Sequence, residues 1–213
     1  MGRVSQAQAQ ENRERVVRTA SRLFREQGTH VSVADLMKAA GLTHGGFYKQ
    51  FPSKEALIDE ATAHAFGELA SRRAAALEQI TVEQATVEQA TVEQGTGLEQ
   101  GAGPEQDSGR RAAAQQALID AYLSVEHRDN PAEGCPAAAL AHDMAREPGS
   151  REAHRVYAEG VSDFAAFLAT EDQDGITRLC TMLGALVLAR ATREAPLSED
   201  ILTAARTALT ETG

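Results

Sequence analysis

The stretch GLTHGGFYKQFPSKEAL, residues 41–57, contains the start and stop signals of a very short helix between two longer ones. Gly41 ends the preceding helix, and Thr43 is placed to cap the short one. Pro52 stops that helix, and Ser53 caps the next. The stretch therefore predicts a tight glycine turn between two helices, which is the arrangement of a helix-turn-helix motif.

The short helix contains two adjacent glycines, Gly45 and Gly46. Each costs about 1 kcal/mol relative to alanine in a helix interior, which a purely structural helix of this length would hardly tolerate. Missing side chains would let the backbone approach DNA closely, while neighbouring polar side chains contact phosphates or base edges. The alternative is a glycine-rich loop that only turns the chain. The polar side chains concerned are His44, Tyr48, Lys49 and Gln50.

Two helices are predicted upstream. Residues 11–27 place Val16, Val17, Ala20, Leu23 and Phe24 at helical spacing, and Gly28 ends this helix. The next begins at Ser32, whose hydroxyl can cap the free amides, with Asp35 in its first turn. Together with the segment that follows, these elements predict a compact three-helix N-terminal unit.

The charge of the chain is unevenly distributed. The formal net charge of the whole chain is −10, yet residues 1–60 carry +2 and residues 61–213 carry −12. All three lysines lie before residue 55, so a phosphate-binding surface is expected at the N-terminal end. A solvated charge gradient without any partner is the alternative.

The C-terminal half is predicted to be helical after an interruption. From residue 80 to residue 100 the motif TVEQ recurs with a five-residue period, which matches neither helix nor strand, and a glycine-rich stretch follows. We interpret residues 80–109 as a low-complexity segment of mobile or frayed helix plus a linker; a partner-binding arm is the alternative. Helical periodicity returns at residue 110 and predicts a bundle of about five helices.

Composition supports an all-α protein. The chain has no Trp and only six Pro, and Ala, Leu and Val dominate. No apolar run reaches the roughly 18 to 20 residues that span a bilayer, and the first residues lack the apolar core of a secretion signal, so a cytoplasmic protein is expected. Cys135 and Cys180 are expected to be free thiols there.

GLTHGGFYKQFPSKEAL resembles the region in which TetR-type regulators end their helix-turn-helix and begin their fourth helix, and the likeness extends over residues 10–60. The resemblance implies a three-helix DNA-binding domain and a helical C-terminal domain with a ligand cavity. It also implies a homodimer formed by the last two long helices, near 174–194 and 198–211. The DNA-facing positions that it implies are Thr43, His44, Gly45, Gly46, Tyr48, Lys49, Gln50 and Lys54.

Some of these positions have more specific expected roles. Phe47 and Phe51 match the positions that pack beneath the motif, so both are assigned to the core. His44 and Gln50 are the candidates for base contacts. Ser32 opens the second helix, where it either contacts phosphate or serves only as a cap. The predicted division of the chain is 1–52 for the DNA-binding domain, 53–79 for a connecting helix, 80–109 for the linker and 110–213 for the second domain.

Cys135 is the candidate sensor. It directly precedes Pro136, which suits the first position of a helix, so free amides can lower its thiol pKa and make it reactive toward oxidants or electrophiles. The run GCP followed by AAALA also resembles a subset of TetR-type regulators, some of which sense electrophiles through a cysteine. A small buried residue at a tight turn is the alternative. Cys180 lies among apolar residues and is expected in the core.

The effector cavity is expected to be apolar. Tyr122, Met144, Tyr157, Phe164 and Phe167 are the candidates to line it, although the same pattern is typical of ordinary core.

The predicted function is that of a repressor. It would bind double-stranded operator DNA with a palindromic sequence, and a small molecule or modification of Cys135 would release it. The alternatives are a helical enzyme with Cys135 as nucleophile and His142 or His154 as base, and an architectural DNA-binding protein without ligand control. The histidines show no metal spacing, and no cofactor or membrane partner is indicated.

Overall fold

The computed structural model describes residues 6–93, 104–146, 151–171 and 173–210. Every regular element within these ranges is a helix. The α-helices are α1 (Gln6–Gln27), α2 (Val33–Ala39), α3 (Lys54–Glu93), α4 (Pro104–Tyr122), α5 (Val125–Asp129), α6 (Pro136–Arg146), α7 (Arg151–Leu168), α8 (Gly175–Ala191) and α9 (Leu197–Thr210). Two 3₁₀ elements interrupt this series: His44–Lys49, called the 44–49 helix below, and the turn Pro131–Glu133.

The helix ends follow local chemistry. Ser32 caps α2, because its Oγ accepts a hydrogen bond from the backbone N–H of Asp35 at 3.1 Å. Ser53 does the same at the start of α3, accepting from the N–H of Ala56 at 3.2 Å. Gly28 and Gly41 have φ values of +86° and +71°, a region that favours glycine. The sequence therefore predicted both caps and both breaks correctly.

Thr43 differs from its expected role. It precedes the 44–49 helix with an extended backbone, but its side chain makes no capping hydrogen bond. The segment also forms a 3₁₀ helix, whose tighter winding is common in pieces this short.

The N-terminal unit closes around its own apolar core. Val16 and Phe24 of α1 pack with Leu36 of α2, Phe47 of the 44–49 helix and Leu57 of α3. Each is at most 1% exposed, so the short helix is fixed to its neighbours by apolar contacts.

The second core lies in the C-terminal half. Phe66 and Leu69 of α3 pack there with Ile119 of α4, Phe164 of α7 and Met182 of α8. Because α3 contributes to both cores, it connects the two units. Leu140 of α6 belongs to the N-terminal core, which adds a contact across the boundary.

The helix that begins at Lys54 continues to Glu93, and α4 begins at Pro104, so both extend into the segment interpreted from the sequence as frayed helix plus linker. The remaining part of the predicted linker, residues 94–103, lies outside the described residues. Cys180, expected in the core, is exposed, because it lies on the outer face of α8 together with Ile176, which is 63% exposed. None of the helices in the described ranges has the length and apolar character needed to cross a membrane.

Candidate nucleic-acid interface and effector cavity

The 44–49 helix presents a polar outer face. Thr43, His44, Tyr48 and Lys49 are exposed, and the Tyr48 side chain is 65% exposed although it is a large aromatic residue. On the inner face Phe47 is fully buried, as the sequence predicted. A tyrosine and a lysine that project side by side from a rigid helix can donate hydrogen bonds to neighbouring phosphates.

Aromatic and cationic contacts join the 44–49 helix to Phe51 and hold residues 50 and 51, directly after it, to α1. Phe47 and Phe51 stack with ring centroids 5.5 Å apart, and the Arg13 guanidinium lies over the Phe51 ring at 4.3 Å. Arg13 also donates to the backbone carbonyl of Gln50 at 2.8 Å. These contacts fix the outward direction of Tyr48 relative to α1.

The two glycines have different surroundings. A Cβ built on Gly45 would have no heavy atom within 4 Å, and the residue is exposed. A Cβ on Gly46 would lie 3.6 Å from the Met37 side chain and 3.7 Å from the Thr43 hydroxyl, which are ordinary contacts. Gly45 is therefore open to an external partner, whereas Gly46 faces the protein.

Gln50 is less accessible than a base-contacting residue should be. It is half-buried, and its side-chain oxygen is buried without a hydrogen-bond partner in the described part of the chain. His44 is exposed and stays the better placed of the two candidates.

The remaining predicted contacts flank the short helix. Lys54 is half-buried at the start of α3, and Lys38 is exposed on α2, a position that the sequence analysis did not single out. The Ser32 hydroxyl accepts from the Asp35 N–H and donates to the Asp35 carboxylate at 2.6 Å, so it is engaged as a cap.

A cavity of about 300 Å³ lies between α3, α4 and the segment that ends at Cys135. Its lining includes Tyr122, Cys135 and Phe167 of the predicted set. The other three do not line it. Phe164 is fully buried in the core, Met144 packs against the N-terminal core, and the Tyr157 hydroxyl donates to the Ala137 carbonyl at 2.6 Å.

Four charged or titratable side chains of the lining were missed by the sequence analysis. They are Arg72, Arg73, His127 and Glu133. Arg72 and Arg73 follow Leu69 at helical spacing on α3, and this spacing was the available signal.

Cys135 is buried in the cavity wall, with 3% exposure. Burial raises the pKa of its thiol, and this effect outweighs the backbone amides of Ala137 and Ala138, which favour the thiolate. The expected lowering of the thiol pKa is therefore not found, and the thiol is protonated at neutral pH. The structure agrees with the alternative interpretation, in which Cys135 is a small buried residue at a tight turn.

The cavity wall is tied directly to the N-terminal unit. The fully buried side chain of Arg25 on α1 donates to the Gly134 carbonyl at 3.2 Å and pairs with Glu68 of α3 at 2.9 Å. Arg22 pairs with Glu133 at 2.7 Å. Any displacement of residues 133–135 would therefore be transmitted to α1, whose Arg13 contacts Gln50 and Phe51 at the end of the 44–49 helix.

The outer face of the last two helices is apolar. Ile176, Val187, Leu188 and Leu197 are between 49 and 63% exposed. Four large aliphatic side chains on neighbouring helices form a surface that is suited to burial against another helical face.

Comparison with known proteins gives a family for the N-terminal part. Residues 16–61 match the model of "Bacterial regulatory proteins, tetR family". Sixty-one residues are 39% identical to the HTH-type transcriptional regulator AcrR of Shigella flexneri, over 28% of this chain and 28% of that regulator's length. The proteins of this family are transcriptional regulators, not enzymes.

Solved structures of similar fold cover nearly the whole chain. The reduced form of NemR from E. coli has a TM-score of 0.65 at 17% identity, covering 94% of this chain and 96% of that one. A TetR transcriptional regulator from Chloroflexus aurantiacus has a TM-score of 0.63 at 21% identity, covering 95% and 94%. The helix-turn-helix unit followed by a helical C-terminal domain is thus the fold of these regulators.

Proposed function

We propose, from an N-terminal domain that belongs to the TetR family of bacterial regulators, that this chain is a transcriptional repressor that binds operator DNA. The observation that carries the proposal is the outer face of the 44–49 helix. Tyr48 and Lys49 project from it, and Gly45 leaves the backbone open to a close approach. Tyr48 contacts the His44 and Phe47 rings edge-on, and 65% of the residue is left exposed to an external partner.

Recognition of DNA divides between these groups. Tyr48, Lys49 and the Gly45 backbone contact phosphates and set the position of the helix in the major groove. Lys38 and Lys54 extend the positive surface on either side. His44 is the exposed side chain that reaches base edges, and Thr43 lies next to it.

The functional unit is a homodimer. The exposed aliphatic face of α8 and α9 supports this assembly, since an unpaired surface of this kind is stabilised when two copies bury it against each other. Two short helices then face DNA from one side, so the operator is near-palindromic, with half-sites about 34 to 36 Å apart or somewhat farther. A DNA partner also places the protein in the cytoplasm.

Repression is released through the cavity. A small molecule that enters it contacts Cys135 and the neighbouring turn, whose Gly134 carbonyl and Glu133 carboxylate are bonded to α1 by Arg25 and Arg22. A shift of this turn changes the position of α1 and hence of the 44–49 helix, which biases the dimer between two arrangements. The buried, protonated state of Cys135 favours ligand binding over direct thiol modification as the signal.

The experiment is a titration of fluorescent promoter fragments with purified protein. Changing both Tyr48 and Lys49 to Ala should weaken binding by at least 100-fold, because it removes two hydrogen bonds to phosphate, of about 1.5 kcal/mol or more each, from every subunit. The slope of log affinity against log salt should also decrease by about one for each lysine–phosphate interaction that is removed. Arg111→Ala is the control, since it removes an exposed cation in the middle of α4, where Arg111 donates to the carbonyls of Ala166 and Phe167. Equal binding by the double variant and the parent would contradict the proposal.

A further inference from the structure

The cavity combines an apolar wall with arginines. Its apolar part consists of Leu69, Leu118, Phe167 and several alanines. Arg72 and Arg73 of α3 also line it, and Arg190 of α8 stands behind Tyr122 and Cys135, close enough to affect the pKa of both. Three guanidinium groups around a small apolar space make the local potential positive in a protein whose net charge is −10.

None of these arginines is neutralised by a carboxylate at ion-pair distance within the part of the chain that the structure describes. Arg72 donates to the Glu133 carbonyl at 2.9 Å, and Arg190 donates to the backbone carbonyls of His127 and Arg128 at 3.0 and 3.1 Å. The carboxylate of Glu133, which also lines the cavity, is paired with Arg22 of α1. Asp163 acts on Arg73 through its charge and opposes the lowering of the Arg73 pKa, but it does not reach ion-pair distance, so three guanidinium groups still outnumber the one carboxylate that is not paired with Arg22.

Arg73 is the arginine best placed to meet a ligand. Its guanidinium lies over the rings of Phe164 and Phe167, at 5.1 and 5.6 Å, and its hydrogen bond to the Asp163 carbonyl is long, at 3.4 Å. Burial lowers the pKa of Arg73, so the charged group has lost part of its hydration without gaining a strong partner. An anion within the cavity would stabilise the Arg73 guanidinium and so replace the hydration that burial has removed.

A second polar group in the cavity wall lacks a good partner. The Tyr122 hydroxyl is buried, with the residue 5% exposed, and it has no hydrogen bond of normal geometry in the described ranges. The Cys135 thiol is close enough to interact with it, but sulfur is a weak hydrogen-bonding group. His127 cannot serve it, because its Nε2 accepts from the Cys135 N–H at 3.2 Å and its Nδ1 therefore donates to the Tyr122 carbonyl at 2.7 Å. A poorly satisfied buried hydroxyl costs free energy that a ligand oxygen would recover.

We propose that the cavity binds an apolar molecule that carries one carboxylate-like anionic group, with the anion at Arg73 and an oxygen at the Tyr122 hydroxyl. This inference rests on the proposed function, in which the cavity receives the effector. The volume of about 300 Å³ limits the ligand to the lower end of the small-molecule range. Cationic molecules of the same size are excluded by the guanidinium groups.

Three probes of equal chain length test the ligand class: decanoate and decyltrimethylammonium below their micellar concentrations, and 1-decanol below its solubility limit. Calorimetric titration should show that decanoate binds at least tenfold more tightly than decanol, and that the cation does not bind. Arg73→Met keeps an apolar stem but removes the charge, so it should abolish the preference for decanoate over decanol. Arg155→Met, an exposed position on α7, is the control and should keep the preference.

Tyr122→Phe provides the second variant, since it removes only the hydroxyl and should weaken decanoate by severalfold while the thermal unfolding curve is kept. Equal binding of decanoate and decanol, a decanoate affinity unchanged by Arg73→Met, or no binding of any probe would overturn the proposal.

Promoter binding is measured separately, without probe. If the parent protein binds promoter DNA but shows no preference for decanoate over decanol, the proposed ligand class is refuted and the proposed function is not. If the parent protein prefers decanoate over decanol but does not bind promoter DNA, the proposed function is refuted and the ligand class is not.

Discussion

Changing Gly45 to Ala adds one methyl group, which should affect DNA binding without disturbing the fold. The added Cβ would have no heavy atom within 4 Å, and among the described glycines only Gly28 and Gly41 have positive φ. The new methyl group therefore fits the folded chain without strain. Because Gly costs about 0.8 to 1.0 kcal/mol relative to Ala within a helix, the variant should be as stable as the parent or more stable by up to about 1 kcal/mol. In a protein of this size that gain raises the melting temperature by about 2 to 4 °C.

Affinity for promoter DNA should change in the opposite direction. If the backbone at Gly45 lies against a phosphate, a methyl group holds it away and lengthens the hydrogen bond from the peptide N–H. A hydrogen bond to a charged group contributes about 1.5 to 3 kcal/mol, so its loss weakens binding by about 10- to 100-fold. The dimer contains two such hydrogen bonds, so a loss of about 10-fold is the smallest that is expected.

The assay pairs thermal unfolding with fluorescence anisotropy of a labelled promoter fragment at fixed salt. Gly67→Ala is the matched control, because Gly67 is also exposed in a helix and a Cβ there has no neighbour within 4 Å. The control should gain stability and keep its affinity. A Gly45→Ala variant that melts like the control and binds DNA like the parent would refute the close approach of this backbone.

Three further outcomes follow from packing and ionisation. Gly175→Ala should destabilise the fold by about 1 to 3 kcal/mol in chemical unfolding, because a Cβ there collides with the backbone carbonyl of Ala165 and cannot be relieved by a side-chain rotation; a variant with parental stability would contradict the α7–α8 packing. Burial lowers the pKa of His127, so the unfolded chain binds this proton more readily and the free energy of unfolding should fall as the pH drops below about 6.5. His127→Gln should remove that part of the pH dependence, and an unchanged pH profile would count against the neutral, doubly bonded imidazole. N-Ethylmaleimide should modify the buried Cys135 much more slowly in the folded protein than in denaturant at the same neutral pH, as peptide mass analysis of timed samples would show; equal rates would mean that the cavity wall opens readily.

Local sequence signals determined the N-terminal domain. Ser32 and Ser53 end up as caps, and Gly28 and Gly41 adopt the backbone that ends a helix, because each of these interactions joins atoms a few residues apart. The helix-turn-helix arrangement, the burial of Phe47 and the all-α class could be predicted from the sequence for this reason.

The cavity depends on long-range packing, so the sequence predicted it only in part. Phe164 and Phe167 lie on the same helix and have the same chemistry, yet Phe164 is in the core and Phe167 lines the cavity. Arg72 and Arg73 enter the wall because α3 runs from one unit into the other, and their helical spacing from Leu69 shows only a shared helix side, not the cavity that this side meets.

Cys135 shows the same division within one residue. From the sequence alone its place before Pro136 establishes a helix N-terminus, whose amides stabilise a thiolate. The tertiary structure adds burial, and desolvation of the sulfur outweighs those amides, so the thiol stays protonated. Capping acts over one turn of helix and is encoded locally, whereas desolvation is set by every element packed around the sulfur and is decided only when the chain has folded.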